Sequence, residues 1–438
     1  MIWVGSHGII KDNCNFINNF AKYRGGAVFL HGNDTENCTN TTVTNCNFED
    51  NVAGLNGGAI DWQHGTTYGN LTYSNFTNNT AWRSGGAVYW NGLYGDILYC
   101  IFDDNHAIGN VTAHDRPDVA VYSNEGGHGG AVIWTGSHGE VYYSNFVNNT
   151  AKNNGGAVYL QSGTYGECQN TTFDNCYFGE NEAGLNGGAV DWFRGASLGK
   201  VLNSVFENNI ANRSGGAIHW SGYYGTVSNS NFTGNKATGE VISDIGGVLG
   251  GGDGGAVIWV GSHGIINDNS NFINNYAKNR GGAIFLHGNS TEDCVNTTVV
   301  NSNFEDNVAG TNGGAIDWYE GAHDGTVENV TFKINTAHRN GGAIFWNGHN
   351  GTIKHSRFIN NRATGEHWEY TLPINMGNTI VRQDDGTLIL GDIIVLQNSS
   401  MPLDPSPYKD KLVVFNYTYN NLLHFHSYVV VSLSLIHI

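Results

Sequence analysis

Proline is almost missing from this chain, with 5 in 438 residues, and basic residues are sparse, with 20 lysines and arginines against 38 acids. The resulting formal charge of −18 repels phosphate and argues against nucleic acid as a partner. No run of about 18 apolar residues occurs, so no transmembrane helix is expected. No Cys-x-x-Cys pair is present and the cysteine count is odd, at 7, which supports neither a zinc site nor a complete disulfide framework. The scarcity of proline and the lack of a three-residue glycine period exclude collagen, despite 62 glycines. An aromatic share of 12% is too high for a disordered chain.

What is abundant is repetition. The tripeptide Gly-Gly-Ala begins at eleven places, from Gly25 to Gly341, and Phe-x-x-Asn occurs twelve times, from Phe16 to Phe358. The two motifs alternate, and the phase slips only where insertions enter, near 109–126 and 239–252. A longer period lies over the short one. GAVIWTGSHG (Gly130–Gly139) returns as GAVIWVGSHG (Gly255–Gly264), so four units make a super-repeat and three copies fill residues 1 to about 366.

Each unit reads as strands. After Gly-Gly-Ala comes Val or Ile, then a variable residue, then Trp or Leu, and nine of the 11 tryptophans stand in that last column. Fixed apolar positions alternating with variable ones are the period-two mark of a strand with one buried face. A second strand ends in the Phe of Phe-x-x-Asn, as in GEVYYSNF (Gly139–Phe146). A unit of this size closes no core alone, but stacked on copies of itself it does. The expected fold is all-β, a right-handed single-stranded parallel β-helix of about twelve coils with a short C-terminal β-rich segment. Trp/Leu and Phe columns would fill its interior, and the asparagines at 19, 51, 79, 105 and onward would form an amide ladder.

The alternating Gly-Gly-Ala-Ile/Val and Phe-x-x-Asn motifs over residues 1–366 resemble the repeats of chlamydial polymorphic outer membrane proteins. They are equally similar to those of adhesin-like surface proteins of gut methanogens. The resemblance implies a β-helical, secreted or cell-surface adhesive protein without an active site, whose partners are host or microbial surface glycans or proteins. Because β-helices also host enzymes, a polysaccharide lyase, glycoside hydrolase or tailspike-like depolymerase is the alternative.

The candidate binding residues follow from the variable column, which is expected to point outward: Phe29, Asp61, Tyr89, Tyr159, Asp191, His219, Phe285, Asp317 and Phe345. Two readings stand, a carbohydrate- or protein-binding strip or a sheet face covered by a neighbouring loop. Asp61, Asp191 and Asp317 recur every four coils, about 19 Å apart at roughly 4.8 Å per coil, too far to act as a glycosidase pair. Asp191 and His219 fall on successive coils, within hydrogen-bonding reach. The first insertion adds His114, Asp115, Asp118 and His128 as loop candidates for binding. No catalytic residue, metal or cofactor is expected. The cysteines at 14, 46, 100 and 176 share the Phe face and read as small buried thiols, with Cys14 and Cys46 on adjacent coils. Sequons such as Asn40, Asn70 and Asn170 fit a glycosylated surface.

At the ends, Met1 aligns with Val257 in mid-strand, so the chain is expected to begin inside a coil. From 367 the motifs stop, leaving a degenerate coil, a cap or the start of a β-sandwich up to 432, and Leu433–Ile438 reads as a translated sequencing adapter.

Overall fold

In the computed structural model the chain forms two compact units, Met1–Tyr223 and Tyr224–Ile438. Each contains a parallel β-solenoid, and together they make about eleven turns. The structure describes residues 1–32, 38–63, 65–109, 126–162, 168–193, 195–239, 251–288 and 294–364. Beyond these it describes the backbone of Ile380–Arg382, Leu388–Gly391, Ile394–Leu396, Leu412–Tyr419, Leu422–Val431 and Ser434–His437. Among the described residues there is no helix, and none long and apolar enough to cross a membrane.

A coil has four short strands. One runs Val132–Trp134, Glu140–Tyr142, Asn145–Val147 and Thr150–Ala151, and the next begins at Val158–Leu160. Each strand pairs in parallel with its counterpart one coil on, as Trp90 with Trp134 and Phe102 with Phe146. The sequence pattern predicts one strand over Gly139–Phe146, and the structure breaks it in two. Tyr143 takes a left-handed φ of +48°, and the Ser144 hydroxyl donates to the Tyr142 carbonyl at 2.9 Å, which together make a corner.

The interior is a set of columns. From Trp62 and Phe48 onward the indoles of the tryptophan column and the rings of the phenylalanine column are buried, Trp3 and Phe16 are half-buried, and Leu30, Leu160 and Leu286 complete the first column without exposure. Neighbouring phenylalanines stack face on face, Phe102 and Phe146 at 4.8 Å and Phe272 and Phe304 at 4.7 Å between centroids. Each stacked pair adds about 0.5–1.5 kcal/mol beyond its buried area. Glycine makes the room. A Cβ on Gly139 would lie 2.3 Å from the Trp134 ring, and one on Gly58 would lie 1.9 Å from the Gly86 carbonyl oxygen of the next coil. Gly57, just before it, has φ +62°, left-handed backbone that glycine adopts without steric cost.

The asparagine ladder is present. In the first unit Asn19, Asn51, Asn79, Asn105, Asn149, Asn181 and Asn209 are joined by Nδ2–H···Oδ1 bonds of 2.8–3.0 Å. Asn235, Asn275, Asn307, Asn335 and Asn361 do the same in the second. Each Oδ1 also accepts the backbone N–H of the preceding asparagine, as Asn149 does from Asn105 at 3.1 Å. The left-handed residue at this corner is not the ladder asparagine but the one before it, such as Asn148 at φ +55° or even Ile334 at +58°.

Past the last motif, Ile380–Arg382, Leu388–Gly391 and Ile394–Leu396 pair in parallel with the strands of the preceding coil. Leu412–Tyr419, Leu422–Val431 and Ser434–His437 form a three-stranded antiparallel sheet. Six of the seven cysteines are buried and Cys14 is half-buried. Burial pushes the thiols of Cys100, Cys168, Cys176 and Cys294 up to about 12, and burial and the neighbouring Cys14 push that of Cys46 to about 11. Such groups carry almost no thiolate at neutral pH.

Two outcomes follow. Asn149→Ala strands the amide of Asn105 and the Phe102 carbonyl, which Asn149 Nδ2 reaches at 3.0 Å. It is expected to cost about 3–5 kcal/mol, read as a lowered urea midpoint, because each buried orphan costs about 1–3 kcal/mol. In a native-state thiol titration, Cys14 is expected to react rapidly and the other six only on unfolding.

Candidate functional site

The site builds on the outer face of the tryptophan sheet. In the first unit the variable column places Phe29, Asp61, Tyr89, Ile133, Tyr159, Asp191 and His219 on successive strands, each in register with the next. In the second unit the row is Ile258, Phe285, Asp317, Phe345. Adjacent members are therefore one strand spacing apart, about 4.8 Å.

Of the two readings of this column, an open strip and a covered face, the structure has the face covered. Asp61, Asp191 and Asp317 are fully buried, Tyr159, Phe285 and Phe345 are at most 3% exposed, and Phe29, Tyr89 and His219 are half-buried. The physical reason is that flanking side chains fold over the row. His128, two residues before Gly130, stacks on Tyr159 at 4.5 Å, and Phe193 leans against the same ring at 5.8 Å. Of the insertion candidates, His114, Asp115 and Asp118 lie outside the described residues.

Burial reshapes the acids. Desolvation raises Asp61 to about 7 against the nearby charge of Arg24, while Gln63 donates to its Oδ1 at 2.5 Å. Asp191 is raised by burial and partly restored by His219, whose Nδ1 lies 2.8 Å from Oδ1, as the successive-coil spacing anticipates. Asp317 is raised well above the ordinary carboxylate value by burial, opposed by Arg280.

Over Tyr89, Ile133 and Tyr159 the flanking side chains stop short of one another and leave a cavity of about 350 Å³. Arg83, His128 and Asn154, which precede their strands, wall one side, and Gln161 and Phe193, which follow theirs, wall the other. Burial and the charge of Arg83 push His128 down to about 4, so its imidazole is neutral at physiological pH. Two polar atoms in this lining are buried without a hydrogen-bond partner, Nδ1 of His128 and Oδ1 of Asn56. Sequence reasoning missed Arg83, Asn56, Asn154 and Phe193. Asn56 and Asn154 stand just before a Gly-Gly, Arg83 one residue earlier and Phe193 just after the Trp of its strand, positions that change from coil to coil while the motif itself stays fixed.

The second unit shows the same framework filled. Super-repeat alignment puts Asp253 at the position of His128, Arg280 at Asn154, Phe285 at Tyr159 and Tyr319 at Phe193. Arg280 makes a two-pronged ion pair with Asp253, Nε to Oδ1 at 3.0 Å and an η nitrogen to Oδ2 at 3.3 Å. Its guanidinium lies 4.5 Å from the Phe285 ring centre and 4.2 Å from that of Tyr319. A cation held between two rings and a carboxylate is strongly favoured. The pair plugs one groove, and its replacement by His and Asn leaves the other open.

Asp61 supplies a pH test. The unfolded chain ionises it near 3.8 and the folded chain near 7, so between these values the unfolded state binds fewer protons. Its contribution to stability therefore falls as pH rises from about 4 to about 7 and is flat above that. Asp61→Asn removes the slope. Its advantage over the parent should grow across that window to roughly 4 kcal/mol and then level off, as measured by urea unfolding at a series of pH values.

Comparison with known proteins places the repeats. No curated protein matches the chain. Among solved structures, a mannuronic-acid-specific polysaccharide family 6 lyase from the human gut microbiota aligns at 9% identity over 88% of this chain and 86% of its own, with a TM-score of 0.41. The tailspike of E. coli bacteriophage HK620 aligns at 11% over 97% and 76%, with 0.37. PfbA, a surface adhesin of Streptococcus pneumoniae, aligns at 11% over 100% and 90%, with 0.33. The Chlamydia polymorphic membrane protein repeat matches at residues 143–161, 203–219 and 329–345, each running into or just past the first strand of a coil, so this chain carries repeats of the polymorphic membrane protein type.

Proposed function

We propose that the chain is a surface-displayed, adhesin-like binding protein whose β-solenoid presents the groove over Tyr89, Ile133 and Tyr159 to glycans. The observation that carries this reading is the groove itself, an aromatic-floored cavity of about 350 Å³ whose lining holds two unsatisfied polar atoms, Asn56 Oδ1 and His128 Nδ1. Ligand pockets of this size combine an apolar floor with a few convergent polar groups. A sugar ring offers an apolar face to tyrosine and hydroxyls to the two orphans. The repeat family supports display at a cell surface.

Binding without catalysis is the reading these distances favour. Asp61 and Asp191 stand four strands apart, about 19 Å, against about 5–9.5 Å for a glycosidase pair. Asp191 already engages His219, and both acids are shut away from solvent.

The internal comparison supplies the experiment. His128→Asp combined with Asn154→Arg copies the Asp253–Arg280 plug into the open groove. Probed on an array of microbial and host surface glycans, the parent chain is expected to bind and the double variant to lose at least about tenfold in affinity, with its thermal midpoint unchanged or raised. Binding untouched by the plug, or no glycan bound by the parent, refutes the assignment.

A further inference from the structure

Three consecutive coils carry rings where their counterparts carry amides. At the corner between the second and third strands, Tyr73, Tyr99 and Tyr143 take left-handed φ values of +48°, +55° and +48°. Four coils on, the same corners hold Asn203, Asn229 and Asn269, a residue type that adopts this backbone more easily than tyrosine does. The three tyrosines are 60%, 46% and 51% exposed, so the core gains nothing from them. They stack on one another at 5.0 and 5.1 Å, a row of rings standing in solvent. Leu98 and Tyr142, half-buried on the second strands, widen the row. Five residues upstream, Tyr68, Tyr94 and His138 form another exposed stack. A contiguous exposed aromatic face marks an interaction surface, and tyrosine is enriched in such surfaces.

Charge says what such a face receives. On the second strands Asp96 and Glu140 stand directly opposite each other, and Asp174 lies opposite Tyr142 on the next. Like charges in register repel, and burial and Glu140 together raise Asp96 to about 6. Among the described residues none of these three acids makes an ion pair. The sequence around them holds few cations, since the only lysines or arginines between Arg24 and Arg194 are Arg83, Arg116 and Lys152. Arg83 and Lys152 follow the fourth strand of their coils, at a different corner, and Arg116 lies outside the described residues. A second copy of a chain with formal charge −18, an acidic glycan or an anionic membrane is repelled by this face. A cationic chain is attracted. Arginine fits both parts of the face, because its planar guanidinium forks onto a carboxylate while its apolar stem packs along rings.

We propose that this face docks an arginine-rich segment of a partner protein, with guanidinium groups on Asp96 and Glu140 and side-chain stems along Tyr99 and Tyr143. The groove over Tyr89, Ile133 and Tyr159 plays no part in it, so the inference stands or falls apart from the glycan reading.

The test uses the full chain and three synthetic peptides of one length, glycine–serine chains carrying arginine, lysine or glutamate at every third position, measured by calorimetric titration. The arginine peptide is expected to bind severalfold more tightly than the lysine one, and the glutamate peptide not at all. Tyr99→Asn with Tyr143→Asn copies the corners four coils on, and Asp96→Asn with Glu140→Gln removes the charge. Each pair should weaken the arginine peptide about tenfold with little change in thermal midpoint. The His128→Asp, Asn154→Arg plug should leave peptide binding as it was. A chain this acidic attracts any polycation, so arginine binding that survives both pairs of substitutions overturns the proposal. Absence of arginine-peptide binding, or its loss on plugging the groove, does the same. So does a dimer in sedimentation that the tyrosine pair abolishes, because it gives the face to a second copy. One measurement needs no variant to fold: on the unsubstituted chain, bound arginine peptide should shield Tyr73, Tyr99 and Tyr143 from nitration, read by mass spectrometry, and unchanged nitration refutes the site.

Discussion

Everything in this molecule depends on in-register stacking, the constraint that each side chain has its own counterpart as its nearest neighbour one strand away. A residue type that packs well against itself is rewarded at every turn, and one that does not is penalised at every turn. Indole on indole at 4.4 Å between Trp62 and Trp90, phenyl on phenyl and amide on amide all meet that condition. Charge does not, and the tryptophan, phenylalanine and asparagine columns contain none; where the outer row turns acidic, burial pushes the carboxyl toward its neutral form. Glycine enters for the opposite reason, since at Gly58 and Gly139 the next coil or the indole already fills the place of a side chain.

The fold was legible because this constraint writes itself into the sequence as columns. The tryptophan and phenylalanine positions, the amide ladder and the parallel coil could all be read from spacing. Two local features could not. The corner at Tyr143–Ser144 splits a run that looks like one strand, because a left-handed residue leaves no mark in an alternation of apolar and polar types. At the Phe-x-x-Asn turn, the left-handed residue proved to be the neighbour of the ladder asparagine, a place where Asn, Asp, Glu and Ile all occur.

The site was half legible. Alternation puts Tyr89, Tyr159 and Asp191 on the face opposite the tryptophan column, but outward from a sheet is not the same as open to water. Whether that face is covered depends on residues that belong to no motif, chiefly those just before each Gly-Gly. The contrast between Asn154 and Arg280 shows how much turns on one such position. With arginine the face is sealed by an ion pair and two rings, and with asparagine it becomes a cavity. Coils touch only their neighbours, so a change there alters one groove and leaves the columns beneath it intact.

The amide ladder is also a vector. Along the ladder each asparagine accepts at its oxygen from the preceding coil and donates one N–H to the oxygen of the following one, so within each unit the amide carbonyls point the same way instead of cancelling. A solenoid built this way has an acceptor end and a donor end, as a helix does. A second copy meeting it tail to head continues the pattern, whereas one meeting it head to head sets oxygen against oxygen. Polarity of this kind gives a stack of near-identical coils a direction, and it disfavours one of the two ways in which such stacks could fuse.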